Sequence, residues 1–111
     1  MRRIVVPKDK DAEILLDNNE ALPHQLLEVV FEQNDIDFSE LWHAGVFKEM
    51  NRIAGCIIDV YEDDGITDKE KLQEIIASEI FGTKVKTDKL SQIKMLFIEA
   101  LQRETGVYFY F

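Results

Sequence analysis

The two histidines of this chain are the first residues to consider as metal ligands. Glu40 and His43 have the Glu-x-x-His spacing with which di-iron carboxylate proteins bind metal from one face of a helix. Such a centre requires a second Glu-x-x-His pair and two further glutamates from facing helices. The other histidine, His24, has no glutamate three residues before it. The spacing therefore predicts no metal site.

Residues 59–65 resemble a calcium-binding loop in composition but not in spacing. An EF-hand loop needs an oxygen ligand at its first position, a glycine at its sixth and a glutamate at its twelfth. When Gly65 is placed at the sixth position, Val60 falls at the first and Lys71 at the twelfth. Neither side chain offers a carboxylate, so the motif is rejected.

Nucleophilic catalysis has no stronger support. Cys56 is the single cysteine, and an unpaired cysteine on an apolar helix face behaves as a small hydrophobic residue. The spacing of His24 and His43 does not pair either of them with it, and the chain has neither a Gly-x-Ser-x-Gly motif nor a glycine-rich phosphate loop. We therefore predict that the protein is not an enzyme and has no catalytic residues and no cofactor.

Acidic side chains, in contrast, are abundant and unevenly distributed. The 111 residues include 22 Asp and Glu against 13 Lys and Arg, which gives a net charge of −9 at pH 7. Residues 11–47 contain nine acidic residues and no lysine or arginine, whereas residues 65–111 balance. This excess argues against direct binding of nucleic acid, because phosphates attract surplus Lys and Arg. The acidic block is either a solvated face or a surface for a strongly basic protein.

If the block binds a basic protein, two groups of residues are the predicted contacts. They are Asp35, Asp37 and Glu40 in the first group, and Asp59, Tyr61, Glu62, Asp63 and Asp64 in the second, with Tyr61 as an aromatic anchor. On a helix, Asp59, Glu62 and Asp63 would share one face, and the helix dipole would disfavour a further acid, Asp64, at its C-terminal end. We would expect such a helix to bind a positively charged group, which would offset the unfavourable charge. The alternative is that these acids extend into solvent beside a turn at Gly65.

The secondary-structure elements that must position these residues are predicted to form one α+β domain over residues 1–111. We expect it to be mostly helical, with four to five helices. Residues 2–6 and 107–111 are rich in β-branched and aromatic residues and predict two strands. Because a two-stranded ribbon is marginally stable in water, we expect these terminal strands to pair and the helices to pack against them. An open edge on this ribbon could add to a partner's sheet or to a second copy.

Apolar residues at intervals of three and four predict where the helices lie. The first is expected over residues 11–17, and the second begins at Pro23, buries Leu26, Leu27, Val30 and Phe31, and ends at Asn34-Asp35. Asp37 is the expected N-cap of the next helix, and Glu40 three residues later could close a capping box. This helix either ends near Gly45 and is followed by another or continues through it, and the helical pattern ends at Gly65. The last two helices are expected between Thr67 and Gly82, and between Thr87 or Asp88 and Gly106.

The sequence predicts no targeting or membrane segment. The apolar run before Pro7 is followed at once by charged residues 8–11, which is unlike a signal peptide. No stretch approaches the roughly 18 apolar residues of a membrane span. The single cysteine cannot form an internal disulfide. We therefore expect a cytoplasmic protein that does not bind membranes.

Residues 41–51 (LWHAGVFKEMN), 57–66 (IIDVYEDDGI) and 105–111 (TGVYFYF) are similar to small immunity proteins of bacterial polymorphic toxin systems. The closest likeness is to the contact-dependent growth inhibition type, and it extends over about the last two-thirds of the chain. The resemblance implies a cytoplasmic protein that binds the C-terminal toxin domain delivered by a neighbouring cell and blocks its active site. Since such toxins are often nucleases with basic clefts, acidic helices of the inhibitor could occupy the place of nucleic-acid phosphates.

We therefore expect this chain to neutralise a cognate toxin domain, most simply a nuclease, by covering its basic active-site cleft. The alternative is an acidic adaptor or regulatory module that binds a basic protein unrelated to toxicity. A homo-oligomer is compatible with the sequence but no pattern in it supports one.

Overall fold

A computed structural model describes residues 1–32 and 35–111 of the chain. Within these residues the chain forms five α-helices and four β-strands. In chain order they are β1 (Arg2–Pro7), α1 (Lys10–Asp17), β2 (Leu26–Phe31), α2 (Ile36–His43), α3 (Val46–Ala54), β3 (Asp63–Ile66), α4 (Lys69–Ala77), α5 (Lys89–Arg103) and β4 (Val107–Tyr110). Short 3₁₀ turns, Pro23–Gln25 and Ile80–Gly82, precede β2 and follow α4. The predicted α+β class is confirmed.

The strands form one antiparallel sheet in the order β2-β1-β4-β3. The predicted pairing of the terminal strands is confirmed, with Ile4 opposite Phe109. Both terminal strands are central in this sheet, because β2 flanks β1 and β3 flanks β4. The open edges that were expected on the terminal strands therefore lie on β2 and β3 instead.

The hydrophobic core lies between one face of the sheet and helices α2 to α5. Ile4, Phe31 and Phe109 from the sheet are completely buried there, together with Phe97 from α5. Phe47 of α3 lies in an aromatic cluster, with its ring centroid 5.7 Å from that of Phe38, 5.1 Å from that of Phe111 and 6.4 Å from that of Phe109. Rings at these distances add favourable edge and offset contacts to the burial of apolar area.

The opposite face of the sheet is covered by the single helix α1. Leu16 packs on Val5 and Leu26 in a smaller apolar cluster. The Tyr108 hydroxyl donates a hydrogen bond of 2.8 Å to the Glu13 carboxylate, and burial together with this bond raises the pKa of Tyr108. The helix predicted over residues 11–17 is thus present, with its N-terminus capped by Asp9, whose carboxylate accepts the Ala12 N–H.

The helix predicted from Pro23 is wrong. Pro23 begins only a 3₁₀ turn, and Leu26–Phe31 is strand β2, paired with β1 along its whole length. A short apolar run fits a helix face and a buried strand equally well, and here the β-branched residues Val29 and Val30 pair with a strand distant in sequence. The break expected at Asn34 falls outside the described residues.

The helix predicted to end at Gly65 is also wrong in its second half. Gly45, with φ of 83°, separates α2 from α3, and Gly55, with φ of 66°, ends α3. Glycine favours this left-handed conformation because it has no Cβ, so it is a frequent residue just after a helix. Asp59, Glu62 and Asp63 consequently do not share a helix face, because they lie on the following loop and strand β3.

The remaining helix ends differ from expectation by a few residues. Asp35, rather than Asp37, caps α2, and Asp68, rather than Thr67, caps α4. Helix α4 ends at Ala77, before the 3₁₀ turn that contains Gly82. Helix α5 ends at Arg103, and the capping residue Glu104 takes the left-handed conformation expected of a glycine. In the described part of the chain no helix is long and apolar enough to span a membrane.

Candidate protein-binding site

Five of the eight predicted contact residues lie on one segment, residues 55–64, which we call the acidic loop. It consists of the connection after α3 and the first two residues of the edge strand β3. Asn51, in the last turn of α3, holds its centre: the Oδ1 atom accepts the Ile58 N–H at 2.7 Å, and Nδ2 donates to the Ile58 carbonyl at 3.0 Å. Ile58 itself is buried in the main core. One asparagine therefore fixes the loop through both backbone groups of a single residue.

The second half of the acidic loop is fixed by its own turn. The Glu62 N–H donates to the Asp59 carbonyl at 3.1 Å, which closes a four-residue turn. The Asp64 carboxylate accepts two backbone hydrogen bonds, one from the Ile57 N–H at 2.6 Å and one from the Gly65 N–H at 2.7 Å. Asp64 thus joins the two ends of the loop. Its carboxylate is used inside the molecule and is less available to a partner.

Tyr61 lies at the third position of this turn and is the most exposed large apolar residue among those described. Its side chain is 89% exposed, and its φ of 66° is in the left-handed region. Turns with a positive φ at this position prefer glycine or asparagine, because a Cβ there costs about 1–2 kcal/mol. A tyrosine without packing contacts has no evident stabilising role here that would offset this cost. Ile57, 70% exposed, lies on the same loop.

Three carboxylates surround Tyr61 on the acidic loop. Asp59, Glu62 and Asp63 are all exposed, and none of them forms a salt bridge with a described residue. Only the Asp59 carboxylate makes a local hydrogen bond, from the Val60 N–H at 2.7 Å. The loop therefore presents uncompensated negative charge beside an aromatic and an aliphatic side chain, a combination suited to a basic protein surface.

Asp35 lies apart from the acidic loop and has a structural role. Its carboxylate accepts the N–H groups of Asp37, Phe38 and Glu32, and it pairs with Lys89 at 3.3 Å. Although burial alone would raise its pKa, these backbone hydrogen bonds and the lysine hold the pKa of Asp35 below its usual value. The side chain caps α2 and fastens it to α5. Its contact with a partner stays a prediction.

Glu40 does not close a capping box with Asp37. Its two carboxylate oxygens accept the Lys86 N–H at 2.6 Å and the Thr87 N–H at 3.0 Å. It therefore holds the segment before α5, 46 residues away in the chain. Asp37 is half-buried in the first turn of α2. Asp35 and Glu40 of the first predicted group thus stabilise the fold, whereas the exposed acids of the second group lie together on the acidic loop.

An open groove continues from the acidic loop along α2 and α3. It has a volume of about 530 Å³ and is lined by Trp42, His43, Lys48, Asn51 and Asp59, among others. Sequence reasoning did not select Asn51 or Ile57 for this region. Gly55 was the one available signal, because a helix ending there places the following residues on a loop.

Cys56 is the nucleophilic side chain of the acidic loop. Burial, together with the nearby Asp64 carboxylate, raises the pKa of Cys56, so its thiol stays protonated and is a poor nucleophile. In residues 1–32 and 35–111, no group of three or more His, Cys, Asp or Glu side chains is placed to hold a metal ion. Comparison with models of protein families, with curated proteins and with solved structures found no match to this chain.

Proposed function

We propose that this chain is a cytoplasmic immunity protein that binds a cognate toxin domain through the acidic loop. The partner would be a basic domain, most simply a nuclease whose cleft binds the phosphates of RNA or DNA. The loop would enter that cleft, with Tyr61 as anchor and with Asp59, Glu62 and Asp63 against lysines and arginines of the toxin. Neutralisation would follow because substrate and inhibitor compete for the same positive surface.

The observation that carries the proposal is the conformation of Tyr61. An exposed tyrosine in a left-handed turn position is destabilising, and residues held this way cluster at binding sites and active sites. Tyrosine is also a favoured anchor of protein interfaces, because its large ring loses little conformational freedom on binding. The surrounding loop is held by Asn51 and Asp64, so little ordering would be needed when a partner binds.

The free carboxylates of the loop supply the electrostatic part of the proposal. Charge complementarity can raise an association rate from about 10⁵–10⁶ toward 10⁸–10⁹ M⁻¹s⁻¹ at low salt. A fast association is useful against a lethal enzyme. Because the charges are exposed, this advantage should fall as added salt screens them.

The decisive experiment reverses Asp59, Glu62 and Asp63 together to lysine. Where a toxin-domain gene lies directly upstream of the gene for this chain, its purified domain serves as the partner, and stopped-flow association rates are measured across a range of salt concentrations. We expect a slower association, by at least about tenfold at low salt, and a flatter salt dependence. The control reverses Glu70, Glu79 and Asp88, three exposed acids outside the loop, and changes the net charge equally.

An association rate that falls equally in both triple variants would show that net charge alone matters, and an unchanged rate would exclude the loop. If the chain does not bind the upstream toxin domain at all, the immunity function is wrong. The second candidate, an acidic adaptor for a basic protein of another kind, rests on the same acidic loop. A ribosomal or regulatory gene in place of the upstream toxin gene would favour it.

A further inference from the structure

Strand β2 forms an edge of the sheet, and its register shows which backbone groups point outward. The Lys8 N–H donates to the Gln25 carbonyl at 2.9 Å, next to the pair Pro7–Leu26. Hydrogen-bonded and non-hydrogen-bonded pairs alternate in an antiparallel ladder. Leu27, Val29 and Phe31 therefore exchange bonds with β1. The N–H and C=O groups of Leu26, Glu28 and Val30 point away from the sheet.

Only Glu28 has both outward groups available. The Leu26 N–H donates to the Pro23 carbonyl, and the Val30 carbonyl accepts from Lys89 Nζ at 2.7 Å. Among the described residues, none hydrogen-bonds to the backbone N–H or C=O of Glu28 on this side. An added strand could therefore form both backbone hydrogen bonds of a ladder pair at Glu28. At Leu26 and Val30, on either side, one of the two outward backbone groups already has a partner.

An apolar groove of about 340 Å³ runs beside this edge, on the α5 side of the sheet. It is lined by Leu27, Val29, Met95 and Leu96, with Gln92 and Glu99 at its sides. Met95 is 54% exposed although it is a large apolar residue. In a strand paired at Glu28, the residues before and after the paired one would point toward this groove, because side chains alternate between the two faces.

Self-pairing of β2 is disfavoured by the same geometry. A two-fold antiparallel pair that uses both free groups must be centred on Glu28, which places two Glu28 side chains directly opposite each other. The Glu28 carboxylate forms an exposed salt bridge of 3.4 Å with Arg3 of its own chain, which compensates part of its charge. Two glutamates directly opposite each other are still destabilising, and each chain carries a net charge of −9. We propose that this edge binds an extended segment of a partner protein, with a lysine or arginine opposite Glu28 and apolar residues on either side of it.

This second surface does not depend on the proposed immunity function. The acidic loop adjoins β3 at one edge of the sheet, whereas β2 is the other edge. A partner could occupy either surface alone, and failure of one proposal leaves the other standing.

The test uses the full chain, labelled with ¹⁵N, and the probe peptide acetyl-Thr-Val-Lys-Val-Thr-amide. We expect chemical-shift changes confined to β2 and the groove, including the Glu28 amide. At 90% occupancy, hydrogen exchange of that amide should slow about tenfold, because only the free fraction exchanges. A matched peptide with glutamate at the centre should bind at least about twofold more weakly.

Two controls separate strand addition from weak charge attraction. Methylation of the central backbone nitrogen of the peptide removes the donor to the Glu28 carbonyl and should abolish binding. The variant Glu28→Lys should reverse the preference between the lysine and glutamate peptides; its fold is checked by the dispersion of its own spectrum.

Shifts on the acidic loop instead of β2, or equal binding of the methylated peptide, would overturn the proposal. A dimer that forms with increasing concentration and protects the Glu28 amide without peptide would overturn it in favour of a second copy.

Discussion

The substitution Tyr61→Gly separates stability from binding in this protein. The left-handed conformation of Tyr61 costs about 1–2 kcal/mol that glycine does not incur. Glycine loses more backbone freedom on folding, which offsets about 0.5–1 kcal/mol of this gain. Because the tyrosine side chain is 89% exposed, little packing is lost. We therefore expect the variant to be more stable by about 0–1.5 kcal/mol, and the midpoint of this range corresponds to a Tm higher by about 3–6 °C.

Binding should change in the opposite direction. Truncation of an aromatic anchor at the centre of an interface typically costs about 2 kcal/mol or more, which corresponds to roughly 30-fold in Kd. Thermal unfolding by circular dichroism measures the first effect, and titration calorimetry with the toxin domain measures the second. A variant that is both more stable and much weaker in binding would identify a residue kept for function.

Glu104→Gly provides the matched control. Glu104 also has a left-handed conformation, with φ of 57°, but it ends α5 and lies in a groove with Lys10 and Thr67. The same relief of strain should raise the Tm by a similar amount and leave toxin binding unchanged. A glycine variant that unfolds at a lower temperature than the wild type would show that the left-handed conformation of Tyr61 does not destabilise the protein. Unchanged affinity would remove Tyr61 from the interface.

Two further predictions concern the side chains that fix the elements around the site. Asn51→Ala leaves the buried Ile58 N–H without an acceptor. The free energy of unfolding, measured by chemical denaturation, should fall by about 1–3 kcal/mol, and hydrogen exchange in residues 55–62 should become faster. Unchanged exchange there would show that other contacts hold the loop. Asp35→Asn removes a carboxylate whose pKa is lowered in the folded state, so the wild type should be more stable at pH 7 by about 1–2 kcal/mol. This advantage should shrink as the pH falls from about 4 through the lowered pKa, and an advantage that is undiminished in acid would contradict the assignment.

Much of the fold follows from local patterns in the sequence. The terminal strands could be predicted from their β-branched and aromatic residues, with Pro7 at the end of the first. Helix α5 could be predicted from apolar residues at helical spacing after Thr87-Asp88, and the end of α1 from Asn18 and Asn19. Strand β2 could not, because its six residues fit either element and the choice depends on pairing with β1. Gly55, a typical residue after a helix, could have predicted the end of α3. Ile57 and Tyr61 continue the spacing of a buried helix face, but both side chains are exposed in the structure.

The candidate site was predictable in composition but not in geometry. Five residues of the acidic loop, Asp59 and residues 61–64, are predicted contacts, whereas the helix face expected to join three of them does not exist. Asn51 carries no signal in the sequence, because its role depends on the Ile58 backbone returning beside α3. The open edge was expected on the terminal strands and lies on β2, since two further strands cover them.

The acidic residues of this chain divide into two kinds, and only the structure separates them. Asp35, Glu40 and Asp64 accept backbone N–H groups, so their removal should lower stability before it affects binding. Glu62 and Asp63 have no such bonds within the described residues, and their charges are unfavourable for folding unless a partner neutralises them. A net charge of −9 therefore overstates the charge available for recognition. The electrostatic attraction of a basic partner depends on the carboxylates that the fold itself does not use, and Asp59, Glu62 and Asp63 bring three exposed ones together on one loop.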